Sequence, residues 1–148
     1  MVARRETVVA ASPEEVWKVV SDPAQLPRWW PGVARVEEAS PESWTSVLSS
    51  PRGKAVRVDY SRVEAIPEEQ IAWRQEVEGS PFERILASAV TTLSLTSAGE
   101  GGTRATVLLD QKPRGWARFA PIQFRAAGSR QVKGALDGLE ALFEEPAP

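Results

Sequence analysis

Five polar residues stand where the sequence pattern is otherwise apolar: Tyr60, Gln75, Thr91, Gln111 and Arg125. The first four fall on rows of alternating strand residues that point inward. Neutral donors and acceptors among apolar side chains orient a small molecule, although each alone also fits a core polar group with a satisfied hydrogen bond. Arg125 is seven residues before Val132, near the middle of a helical stripe that continues through Leu136, Leu139 and Phe143. A guanidinium there needs a partner, because desolvating it alone costs several kcal/mol, roughly. It can meet an internal carboxylate, snorkel to a cavity mouth, or hold a carboxylate, phosphate or enolate oxygen of a ligand.

Apolar and small residues complete the candidate ligand-binding set. Trp73, Leu93 and Leu109 fall on inward strand rows, and Trp30 stands beside the Pro31-Gly32 turn. Phe124 and Gly128 come from the C-terminal helix. Gly128 costs about 1 kcal/mol relative to Ala in a helix, which fits either space kept open for a ligand or a close approach to a strand. Trp44 and Trp116 are candidates for wall or rim, and Trp17 for core. A Trp buries a large ring yet keeps an N–H that wants a partner, which suits a half-wet pocket edge.

The absences limit the chemistry. With no His and no Cys, the chain has no Ser-His pair, no thiolate nucleophile and no His- or Cys-ligated metal. No calcium-loop spacing and no Gly-rich phosphate loop are found. No catalytic residue is assigned, and neither a metal nor a cofactor is expected. The net charge of −2 argues against a nucleic-acid partner. Charge is nonetheless uneven. Between Gln111 and Leu136 stand Lys112, Arg114, Arg118, Arg125, Arg130 and Lys133 with no acid among them. That segment is a solvated helix face or one drawn to an anionic ligand head or membrane surface.

These residues need a scaffold, and the 148 residues suit one domain, 1–148. No signal peptide and no apolar run of about 20 residues are apparent, so a cytoplasmic protein without stable membrane insertion is expected. Ser12-Pro13-Glu14-Glu15 opens one short helix, with Ser12 as cap and Glu15 reaching back to its amide. Asp22-Pro23 opens a second, ended by Trp29-Trp30-Pro31-Gly32. Period-two alternation then predicts strands near 33–38, 44–48, 54–65, 71–77, 85–95 and 103–109, the last pair joined by a Gly-rich hairpin loop. With Thr7 and Val9 in a first strand, about seven strands result. Val63 and Ala65 break phase, which predicts a bulge near Ser61-Arg62. Pro51-Arg52-Gly53 is a predicted turn and 144–148 a short tail. Inward rows of Ile85, Ala87, Ala89, Thr91, Leu93 and Leu95, and of Thr103, Ala105, Val107 and Leu109, imply an antiparallel sheet covered on one side. After a short turn at 115–120, a helix over 122–143 spans about 33 Å, enough to cross that sheet. The class is α+β.

The words Ala11-Ser12-Pro13-Glu14-Glu15-Val16-Trp17, Ser21-Asp22-Pro23 and Arg28-Trp29-Trp30-Pro31-Gly32 resemble the START-like or SRPBCC superfamily, the birch-pollen-allergen fold, in its bacterial polyketide cyclase/dehydrase-like branch. The resemblance implies a helix-grip fold: a curved antiparallel sheet wrapped around the long C-terminal helix, with a cavity between them. It implies a binder of a small hydrophobic or aromatic ligand, polyketide-, lipid- or isoprenoid-like, more than an enzyme. One alternative it allows is a polyketide cyclase/aromatase that polarises carbonyls with Arg and Tyr, for which Tyr60 and Arg125 are the available types. Another is a lipid- or quinone-binding protein at a membrane surface, touching it peripherally through 112–133. Oligomeric state is not specified by the pattern.

Overall fold

Ser12 and Asp22 start the two short helices as their side chains dictate. In the computed structural model, which describes residues 1–50 and 52–144, Ser12 Oγ accepts from the Glu15 amide at 3.2 Å and caps α1, Pro13–Val20. The Glu15 carboxylate answers the Ser12 hydroxyl at 3.3 Å, where its amide was expected. Asp22 accepts from the Ala24 amide at 3.0 Å over the 3-10 turn Pro23–Gln25, which runs into α2, Leu26–Trp29. The expected turn position Pro51 and the tail beyond Glu144 lie outside the described residues.

Seven strands follow the alternation: β1 Val2–Val9, β2 Val33–Glu37, β3 Ser43–Ser49, β4 Ala55–Ile66, β5 Gln70–Gln75, β6 Leu86–Gly99 and β7 Gly102–Pro113. They form one antiparallel sheet in the order β1-β7-β6-β5-β4-β3-β2. The first strand thus closes against the last, and the others meander. A 3-10 turn, Gly115–Phe119, leads into α3, Pro121–Leu142, which lies along the sheet. This is the expected helix-grip arrangement.

The core sits between sheet and helices, where Val9, Val16, Leu93, Val107, Val132 and Leu139 are fully buried. A second, smaller cluster joins Val77, Leu86 and Ala89 to the half-buried Phe82, Ile85 and Phe124. The bulge in β4 falls between Arg62 and Glu64. It leaves Val63 exposed and turns Arg62 toward α1, where its guanidinium donates to the Ser21 carbonyl at 2.7 Å. Two strand phases differ from expectation. A register shift between Leu86 and Ser88 buries Leu86 and exposes Ala87, so the inward row of β6 starts properly at Ala89. Ala72, on the row expected to be wet, is buried too.

Candidate functional site

A cleft opens between α3, α2 and the concave face of β3 to β7. Trp30, Trp44 and Trp73 supply its aromatic wall. Trp73 stands at the centre: its ring centroid is 5.7 Å from that of Trp30 and 6.1 Å from that of Trp44, both edge-on. Trp44 in turn stacks on Tyr60 at 5.7 Å with an interplanar angle of 18°. Edge-to-face and offset-stacked rings of this kind add to simple area burial. The cross-strand register explains the grouping, since Trp44 pairs with Tyr60, Tyr60 with Gln75, and Trp73 with Thr91. Four adjacent strands thus place these five side chains in two neighbouring rows, Trp44, Tyr60 and Gln75 in one and Trp73 and Thr91 in the next.

The polar part of the cleft is neutral. Ser46, Tyr60, Gln75, Thr91, Gln111 and Gln131 line it together with Leu26, Val33, Ala89 and Leu109, and among the described residues no charged side chain takes part. Burial pushes the Tyr60 phenol up to about 12, so it remains a hydrogen-bond donor across the physiological range. Trp44 Nε1 is buried without a partner among the described residues. Counted out to its mouth the cleft encloses about 430 Å³, but only about 30 Å³ of it lies clear of the walls by the radius of a water molecule. That is room for a water or two.

Six of the ten residues expected from sequence line this cleft: Trp30, Tyr60, Trp73, Gln75, Thr91 and Leu109. Leu93 is fully buried in the main core instead. Phe124 packs into the second cluster, beside Ala89, which it shares with the cleft. Gly128 is buried where α3 faces β7 and β1. A Cβ there would meet Gln111 Oε1 at 3.2 Å, Leu109 Cδ2 at 3.7 Å and Ala3 Cβ at 3.8 Å, so no open space is kept.

Arg125 is a correction. It is exposed on the outer surface of α3, beside Pro121, Ile122 and Ala126. The buried stripe steps back by four residues each time, from Val132 to Gly128 to Phe124, and drifts about 40° per step, so Arg125, only about 20° from Val132, stands about 100° from Phe124 at the end where that ring is packed. Trp116 is likewise on the outside, 69% exposed, and belongs to neither wall nor rim. Sequence reasoning missed Leu26, Val33, Ser46 and Gln131. Ser46 alternates with Trp44, and Gln131 lies one helical turn before the buried Ala135, so both signals were present in the spacing.

A family model described as polyketide cyclase/dehydrase and lipid transport matches residues 1–144. The chain belongs to that family. Solved structures agree on the fold. A START superfamily protein from Mycobacterium smegmatis superposes with a TM-score of 0.75 at 16% identity, over 96% of this chain and 96% of that one. The ZhuI aromatase/cyclase from Streptomyces sp. R1128 gives 0.75 at 18% identity, over 96% and 92%. The di-domain ARO/CYC BexL gives 0.78 at 20% identity over 95% of this chain and 45% of that longer one. No curated protein matches the chain significantly. Among the described residues no helix is long and apolar enough to cross a membrane.

Proposed function

We propose that this protein binds a neutral hydrophobic or aromatic small molecule, polyketide-, lipid- or isoprenoid-like, in the cleft between sheet and α3. The observation that carries the reading is the lining itself: three indoles and a ring of hydroxyl and amide groups, with no cation and no carboxylate among the described residues. Flat apolar surface binds the body of such a ligand, and neutral donors and acceptors orient its carbonyl or hydroxyl oxygens. A carboxylate would lose its hydration there without gaining a cation. The ligand class is therefore uncharged at the buried end.

Thermal shift with a matched pair of probes tests this. Naphthol should raise the melting temperature, and naphthoate should bind at least about ten-fold more weakly for want of a counter-charge. Native mass spectrometry of freshly purified protein should show a co-purified neutral adduct. Equal stabilisation by both probes, or no response to any apolar ligand together with no adduct, refutes the reading.

A cyclase role is the second reading, and Tyr60 is the observation that favours it. A phenol held protonated beside aromatic walls can donate to a ketone oxygen and polarise it toward enolisation. Arg125 cannot share this task from the outer surface. Turnover of a poly-ketone that survives Tyr60→Phe unchanged excludes this role for Tyr60.

A further inference from the structure

Among the described residues the most exposed large apolar side chains are Phe119 at 81%, Ile122 at 80% and Trp116 at 69%, and all three lie within 116–122. They occupy the 3-10 turn and first turn of α3, and Pro121 and Ile122 also border a shallow hollow shared with Arg125, Ala126 and Ser129. Scattered single hydrophobics on a surface need no explanation, but three of this size in one short segment do. Their setting is basic. Lys112, Arg114, Arg118 and Arg125 are exposed around them, and among the described residues none of the four forms an ion pair. Arg118 lies over the Phe119 ring, 5.6 Å from its centroid. On the loop packed beside Gly115, Arg84 and Glu83 offset each other.

We propose that this segment docks the protein peripherally on an anionic lipid surface, with Trp116, Phe119 and Ile122 in the headgroup–acyl boundary and the arginines on lipid phosphates. Aromatic and aliphatic side chains next to guanidinium groups suit an interface that is apolar on one side and negatively charged on the other. A protein partner's apolar patch would match the rings but leave four cations without a counter-charge. The docked element also leads to the cleft. Behind Ile122, Phe124 packs into the cluster with Phe82, Ile85 and Ala89, and Ala89 is itself part of the cleft wall. Docking thus holds the N-terminal end of α3, and the thin apolar layer behind it, against the lipid. This surface does not depend on the cleft's being a ligand site, and vesicle binding reads it alone.

Flotation of the full chain with phosphatidylcholine vesicles, with and without one-third phosphatidylglycerol, at low and high salt, is the experiment. The protein should float with the anionic vesicles at low salt and lose most of that binding at high salt or on phosphatidylcholine alone. Trp116→Ser combined with Phe119→Ser should reduce partitioning at least about ten-fold while melting as the parent does, since both side chains are exposed. Arg118→Gln should cost about five-fold. Absence of flotation with anionic vesicles overturns the proposal, as does flotation that the double variant retains. A concentration-dependent dimer that the double variant abolishes, in a protein that does not float, would assign the patch to a second copy of the chain.

Discussion

Tyr60 is the chain's single tyrosine, and its environment makes a clean pH prediction. Its phenol is pushed up to about 12 by burial, against 10.0 for a solvated one. Between those values the folded protein keeps a proton that the unfolded chain gives up. Stability from this group is therefore intact below pH 10 and is lost as pH rises through the folded value. The loss amounts to at most about 2–3 kcal/mol. Tyr60→Phe should remove that slope, and the difference between parent and variant in chemical denaturation isolates it. Phenolate absorbance of the native protein should show one transition displaced well above pH 10; a midpoint near 10 would mean that the ring is solvated. At the acid end, Arg57 and Arg35 hold the Glu37 carboxyl below its usual value by hydrogen bonds. That contribution is present above the ordinary carboxylate range and disappears as pH falls through the lowered value, though the exposure of both arginines to solvent keeps it small.

Elements set what the residues meet, and α3 shows how much of this was legible. Its length, its leading turn and the buried Val132, Leu136 and Leu139 follow from three- and four-residue spacing. Its N-terminal half does not, because small and polar residues leave the stripe unmarked between Phe124 and Val132. With 3.6 residues per turn, steps of three and of four diverge after two turns, which is enough to send Arg125 outside and Phe124 inside. The strands suffered less. Period two tolerates no drift, so Trp73, Gln75, Thr91 and Leu109 all reached the cleft wall, and the lapse at Ala87 came where a bulge resets the phase.

Gly138 marks another limit of the sequence. Nothing in the helical pattern distinguishes it from Gly128, yet a Cβ there would run into the backbone of Trp29, with Trp29 C at 3.1 Å and Cα at 3.2 Å. α2 and α3 cross at that glycine. Gly138→Ala should destabilise by about 1–3 kcal/mol despite the gain in helix propensity, since a backbone cannot swing aside. Gly128→Ala meets first the amide end of Gln111, which can rotate away. Its stability should be close to the parent's or better, with the change felt in the cleft. Urea denaturation of the two variants checks the order; a more damaging Gly128→Ala would place the tight helix crossing at the wrong end of α3.

At the scale of the molecule the proposed binding cleft is nearly closed. Ligand pockets run to roughly 300–1,000 Å³, whereas here about 30 Å³ lies free between the walls. A ligand must therefore take its room from the tryptophan cluster, by moving α3 and the layer at Ala89 and Phe124 or by rotating an indole. Trp73 is the side chain to remove, because it touches both Trp30 and Trp44 and is only 5% exposed. Trp73→Ala should cost about 3–5 kcal/mol, through lost burial and the cavity that a rigid sheet cannot close. Indole at millimolar concentration should then raise the melting temperature of the variant by clearly more than that of the parent, since it restores the missing ring. Rescue measures whether the sheet holds its shape around empty space, as a container must. A Trp73→Ala protein that melts like the parent would put Trp73 outside the core. One that is destabilised yet indifferent to indole would mean that the walls collapse inward, and a parent protein stabilised as strongly as the variant would show that the closed cleft already opens at little cost.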